Sequence, residues 1–252
     1  MLTNVHVVAS AAPHRSADRV RAASEDAFCA DEGLGLFAVA DGVGGGPAAG
    51  VASRTAIDAL VAFFRSGALT EGLAPDLALM ARAGEHCDAR VRQVAGERAG
   101  CLGMCTTLTA CLLCGSQAWF LHLGDSRAYR VRGEEIIQLT EDHSSETLFR
   151  DREAEMGGGP ARRRVLLAAL GSQIPMAADT FASPMAPDDV LLLCTDGLTS
   201  HVSAEEIHAS CSAGVADVGV DLRTQRWDAL ATLARERGSR DDITAVSVAL
   251  RR

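Results

Sequence analysis

The segment TTLTACLLCGSQAWFLHLGDSRAYRVRGEEIIQL (106–139) is the key to the fold. It strings together short apolar runs at 106–114, 119–123, 129–131 and 136–139, separated by turn-sized gaps such as RGEE. Gaps that short join antiparallel neighbours and leave no room for a crossover helix, so the segment reads as an antiparallel meander. Outward from it, apolar runs at 34–40 (LGLFAVA), 190–194 and 243–250 read as further buried strands. Amphipathic stretches at 48–64, 76–98, 203–211 and 224–237 read as helices, the third opening with Ser203 and Glu206 in capping-box spacing. The helices come in separate pairs and do not alternate with strands, which predicts the α+β class. With no fixed-period repeat, long linker or low-complexity tract, residues 1–252 are expected to form one domain.

The chain has 252 residues, of which 48% are hydrophobic, enough to bury a core without disulfides or structural metal. Its net charge of −9 supplies no general electrostatic footprint for nucleic acid or an anionic membrane. All 24 basic residues are arginine, so a P-loop lysine, a Schiff-base lysine and a pyridoxal anchor are excluded. No apolar run approaches the roughly 18 to 20 residues that cross a bilayer. The opening MLTNVHVVASAAPHR lacks the basic start of a secretion signal, and a cytoplasmic location is expected. Most of the eight cysteines lie in apolar stretches, where cysteine acts as a small hydrophobe. Cys111 and Cys114 form a CxxC, but on a strand they face opposite ways, and no second pair completes a zinc site.

The chemistry is carried by where aspartates fall. Asp41 follows LFAVA, Asp125 follows FLHLG, Asp196 follows VLLLCT, and Asp241 precedes the run ITAVSVAL. Each alone is a plausible turn residue, since Asp-Gly is a common turn and both 41–42 and 196–197 match it. Four carboxylates at the ends of four buried strands together invite a shared cation, because burying each without a positive partner is costly. Oxygen ligands without a histidine or cysteine cluster favour Mg²⁺ or Mn²⁺ over zinc. Two such ions about 3.5 to 4 Å apart can activate water and clamp the oxygens of a phosphoryl transfer, so phosphoester hydrolysis is expected.

The motifs RAASEDAF (21–28), LFAVADGVGGGPAAGVAS (36–53), GMCTTLTACLL (103–113), LGDSRAYRV (123–131), QLTEDHS (138–144), LLLCTDGL (191–198) and SRDDITAVSV (239–248) resemble, in order, those of the metal-dependent PPM (PP2C-type) serine/threonine protein phosphatases. The resemblance spans nearly the whole chain and is closest to compact bacterial members. It implies two packed antiparallel sheets flanked by helix pairs, an α-β-β-α sandwich. It implies two Mn²⁺ or Mg²⁺ ions, with Asp41 bridging them, the Gly42 carbonyl helping to hold one, and Asp196 and Asp241 completing the other site. Asp125, with Asp196, matches the position of a weaker third metal. Glu25 and Asp26 would act through metal-bound water or from behind the ligands, and Arg21 would grip the substrate phosphate. The implied partners are phosphorylated proteins, substrates of a bacterial Ser/Thr kinase, met by a monomer.

The chain departs from the family's pattern at several places. Val43 stands where eukaryotic members carry a histidine proposed as general acid, and Gly46 where many bacterial ones read GGH. Ser24 replaces a frequent Asn, and Asp242 another, adding a charge beside Asp241. The flap region, 143–171, is short, with GGG at 157–159, Pro160, a basic cluster Arg162 to Arg164, and Ala168 where relatives often have Arg. His143 reads as structural. Two rivals follow. GDSRA (124–128) mimics a serine-hydrolase elbow, but the next residues alternate like a strand where the elbow needs a helix. A catalytically weak PP2C-like domain acting as a regulatory or binding module is the other.

Overall fold

The computed structural model describes residues 4–12, 24–44, 48–68, 75–149, 161–174, 176–212 and 220–251. The meander forms as expected: β4 (Leu108–Cys114), β5 (Gln117–Leu123), β6 (Arg127–Arg132) and β7 (Glu135–Gln138). Its middle turn, however, passes the chain from one sheet to another. β5 and β4 join β3 (Leu36–Asp41), β2 (Asp26–Asp31) and β10 (Asp179–Pro184) in the order β10-β5-β4-β3-β2. β6 and β7 join β11 (Val190–Cys194), β12 (Ile243–Arg251) and β1 (Asn4–Ala12) in the order β1-β12-β11-β6-β7. All pairings are antiparallel.

The unbroken apolar runs are explained by burial on both faces. Every residue of β3 is buried. Phe37 and Val39 enter the core between the sheets with Cys111, Phe120, Leu191, Leu193, Val246 and Val248. Leu36, Ala38 and Ala40 face outward onto α1 (Ala49–Phe63) and α2 (Leu77–Glu97). On the other side Val190, Leu192 and Cys194 pack under α3 (Asp196–Thr199), α4 (Ala204–Ser212) and α5 (Val220–Glu236). The result is the α-β-β-α sandwich, with one core between the sheets and one beneath each helical layer. α2 is capped by Asp76, whose Oδ1 accepts the Leu79 N–H at 2.7 Å. The Ser203–Glu206 capping box opens α4 as expected.

Five strands do not declare themselves as apolar runs. β2 (DAFCAD) and β10 (DTFASP) are sheet edges that bury one face only, and Pro184 is tolerated because it ends an edge strand. β1 is the edge of the other sheet. β8 (Ser144–Phe149) and β9 (Ala161–Leu166) form a separate two-stranded sheet within 143–171, the stretch expected to be a flap. The glycines 157–159 and Pro160 lie outside the described residues.

All eight cysteines are free thiols and six are buried, with Cys111 inside and Cys114 exposed on opposite faces of β4. Among the described residues no helix is long and apolar enough to cross a membrane.

Candidate active site

The four strand-end aspartates meet at one end of the sandwich. Asp41 closes β3, and Asp196 opens α3 immediately after β11. Asp241 lies two residues before β12, and Asp125 lies in the turn between β5 and β6. Oxygens of Asp41, Asp196 and Asp241 all lie within 4.8 Å of one another. With Asp125, Val43, Gly44, Thr107 and Leu166 they line a cavity of about 160 Å³.

Both Asp-Gly pairs are fixed by close packing. A Cβ on Gly42 would run into the Ala49 carbonyl oxygen, and one on Gly197 into that of Asp242. Asp41 is held through its backbone: its N–H donates to Thr107 Oγ1 at 2.9 Å, and its carbonyl accepts from the Thr106 hydroxyl and the Thr107 N–H. These bonds fix the main chain and leave the carboxylate directed to the pocket it lines.

Asp26 sits directly opposite Asp41 in the β2–β3 register. Like charges so placed repel. Asp26 Oδ2 accepts the Thr195 hydroxyl at 2.9 Å, whereas its Oδ1 is buried without a hydrogen-bond partner. Burial pushes the Asp26 carboxyl up to about 7, against the pull of the Thr244 and Thr195 hydroxyls, and Asp242 and Asp241 add to the rise. Asp41 is raised well above the usual carboxylate range, first by burial and then by Asp26, Asp196, Asp241 and Asp125. A buried orphan oxygen and four mutually opposed carboxylates fit a hard divalent cation, which replaces the missing positive charge and accepts oxygen ligands. The described lining offers no sulfur and no imidazole, so the donor set is not that of zinc.

The family model for protein phosphatase 2C matches residues 15–232. The chain belongs to the protein phosphatase 2C family. The serine/threonine phosphatase Stp of Listeria innocua is 31% identical over 218 residues, covering 84% of this chain and 83% of its own. The serine/threonine protein phosphatase PstP of Mycobacterium tuberculosis is 36% identical over 192 residues, 75% of this chain and 36% of that one. Among solved structures, the PstP/Ppp phosphatase of M. tuberculosis superimposes with a TM-score of 0.75 at 27% identity, covering 98% and 99% of the two chains. The PstP catalytic domain in complex with two manganese ions gives 0.73 at 28% identity, with the same coverage.

Within this phosphatase 2C fold, Asp41, Asp125, Asp196 and Asp241 line one pocket, Asp26 pairs with Asp41 across β2 and β3, and the Glu25 carbonyl accepts the N–H of Gly42, the residue after Asp41. Arg21 and Gly46 lie outside the described residues. Ser126 is not a nucleophile: it is fully buried, its hydroxyl pairs with Thr107 Oγ1 at 2.9 Å, and the chain after it enters β6. His143 pins the loop that carries Asp125. Its backbone N–H donates to the Gly124 carbonyl at 2.7 Å, its Nδ1 accepts the Gly124 N–H at 3.2 Å, and its Nε2 faces Asp179 Oδ2 at 3.1 Å.

Sequence reasoning finds in Asp242 only an added charge. In the fold it is a clamp: its Oδ2 accepts the Glu25 N–H at 2.6 Å and the Ser24 hydroxyl at 2.8 Å, across 218 residues of chain in the latter case. The Glu25 carbonyl in turn accepts the Gly42 N–H and the Ser53 hydroxyl, so the clamp leads to the Asp41 loop. Thr107 and Thr195 are missed as well. Thr107 stands just before β4 and Thr195 just after β11, so their one available signal is a hydroxyl abutting an apolar run, and both are buried.

Proposed function

We propose that this protein is a metal-dependent phosphatase that hydrolyses phosphoserine and phosphothreonine in proteins. The convergence of Asp41, Asp196 and Asp241 within 4.8 Å carries the reading. In it, Asp41 would contact both of two Mn²⁺ or Mg²⁺ ions, the Gly42 carbonyl would support one, and Asp196 and Asp241 would hold the other. Asp125 with Asp196 would hold a third, weaker ion. When bound, the ions lower the pKa of water and offset the charge that develops on the phosphoryl oxygens.

The chain's own residues position and shield. Thr106 and Thr107 fix the Asp41 main chain, Thr195 orients Asp26, and Asp242 holds Ser24 and Glu25 in place. Glu25 and Asp26 orient the pocket's water from behind the ligands, and Arg21 grips the phosphate as a planar guanidinium can. Val43 and Leu166 wall the acidic pocket with apolar surface, which limits water beside the reacting group. The unit is one domain over 1–252 with its flap at 143–171, a cytoplasmic monomer that opposes a bacterial Ser/Thr kinase.

The test is phosphate release from a phosphothreonine peptide with Mn²⁺, with Mg²⁺ and with EDTA, beside a phosphotyrosine peptide. Metal-dependent release from phosphothreonine, lost in Asp196→Asn, is expected. No release with either metal would turn the reading to a phosphatase-like binding domain.

A further inference from the structure

Seven large hydrophobic side chains are exposed among the described residues, and four of them, Val165, Leu167, Ile174 and Met176, fall in one stretch of twelve. That stretch begins at the metal pocket, because Leu166 lines it. It ends at a second depression, a groove of about 290 Å³ floored by Leu123 and Leu170. One wall of the groove is α2, with Ala81, Gly84 and Glu85, and the other is Met176 to Ala178. Its lining is mostly apolar, and the charges on its α2 wall are acidic. Asp88 is engaged by the Gly171 N–H and by Arg92, both within 2.7 Å. Glu85 is exposed, and no hydrogen bond or ion pair engages it among the described residues.

Groove and metal pocket are lined by neighbouring residues of the same two segments. Leu123 floors the groove two residues before Asp125 enters the pocket, and Leu170 four residues after Leu166. Thr106, next to the pocket's Thr107, pairs with Leu170 through two backbone hydrogen bonds of 3.1 and 2.8 Å. A chain reaches at most about 3.6 Å per residue, so Leu123 and Leu170 lie within about 7 and 14 Å of their pocket neighbours, a span that about two to four residues of extended substrate chain cover.

We propose that this groove takes the flank of the phosphoprotein substrate, an extended segment with an apolar residue and an arginine or lysine two to four positions from the phosphorylated threonine or serine. The apolar residue fills the Leu123–Leu170 floor against Met176, and the basic residue pairs with Glu85. The proposal rests on the phosphatase reading and adds its substrate selectivity. Small phosphoesters do not reach the groove, so they report the metal pocket alone.

The test measures kcat and KM for phosphothreonine peptides that carry leucine and arginine, leucine alone, arginine alone, or neither within four positions of the phosphothreonine, placed on each side in turn. Hydrolysis of p-nitrophenyl phosphate is followed in parallel. KM is expected to be about tenfold lower for the leucine-arginine peptide on one side than for the peptide with neither, with kcat little changed. Glu85→Arg, an exposed helical position, should invert the charge preference by about two- to fivefold, so that a glutamate peptide is preferred over the arginine one. Met176→Glu should raise KM for the leucine peptides and leave p-nitrophenyl phosphate turnover unchanged. Equal KM values for all peptides, with p-nitrophenyl phosphate still hydrolysed, would overturn the groove and leave the phosphatase standing. A change of oligomeric state in Met176→Glu with unaltered KM would overturn it in favour of a second copy as the occupant. Absence of p-nitrophenyl phosphate turnover with any metal would sink the phosphatase reading and this proposal with it.

Discussion

Replacing Asp41 by asparagine should make the metal-free protein more stable while destroying its response to metal. The side chain keeps its shape and loses its charge. Asp41 has Asp196 and Asp241 oxygens within 4.8 Å, and two unit charges at that distance repel by about 3.5 kcal/mol at an effective dielectric of about 20. Protonation caps the cost. A carboxyl whose ordinary value is 3.8 and which is driven well above it by burial and by Asp26, Asp196, Asp241 and Asp125 can escape the repulsion by holding a proton. At neutral pH that escape costs no more than about 4 kcal/mol, at 1.36 kcal/mol per unit. The asparagine amide carries no charge and needs no proton, so a gain of about 2 to 4 kcal/mol is expected in EDTA, a rise in Tm of about 5 to 15 °C for a chain of this size. Mn²⁺ should then invert the order. Wild type gains about 2.7 kcal/mol at a hundred times its dissociation constant, and the variant gains little. Differential scanning calorimetry in EDTA and across a Mn²⁺ series reads both effects. An Asp41→Asn protein no more stable than wild type in EDTA, or one that keeps the full Mn²⁺ shift, would refute the argument that the cluster is held in opposition for a cation.

Two further outcomes are expected. Asp242→Ala removes the acceptor of the Glu25 N–H and the Ser24 hydroxyl and should cost about 3 kcal/mol in urea unfolding, whereas Asp242→Asn keeps an acceptor and relieves charge beside Asp26 and Asp241, so it should lie near wild type; equal losses in the two would show that the clamp does not depend on acceptance. His122 is fully buried, with Nε2 on the Glu141 carbonyl and Nδ1 on the Thr109 hydroxyl, both at 2.9 Å. Burial pushes its pKa down from 6.5 to about 4, so the unfolded chain binds the extra proton between those values. Its contribution is complete above pH 6.5 and is lost as pH falls towards 4, on the order of 3 kcal/mol, and His122→Gln should flatten that limb relative to wild type in the same buffers. Parallel pH curves for the two proteins would contradict this.

How much of the fold is legible in the sequence follows from which residues bury what. Strands covered on both faces, such as LFAVA and VLLLC, are continuous apolar runs and declare themselves. Edge strands such as DAFCAD and DTFASP bury one face and carry polar residues on the other, so they hide among loops. The meander is readable because its gaps are too short for a crossover, yet those gaps do not tell which sheet each strand joins. That assignment falls to Phe37, Phe120, Leu191 and Val246, which need one another across the sandwich.

The site divides in the same way. Four aspartates abutting apolar runs are a local pattern, because a carboxylate beside a core strand is costly wherever the strand goes, and the ligand chemistry and the class of reaction are therefore written in the order of residues alone. Which oxygens come within 4.8 Å of each other, that Asp26 lies across from Asp41, and that Asp242 holds Ser24 from 218 residues away are contacts between distant parts of the chain. These emerge only once the chain is folded, since repulsion between carboxylates and the reach of a hydrogen bond depend on separation in space, and that separation is set by how the two sheets close on their shared core.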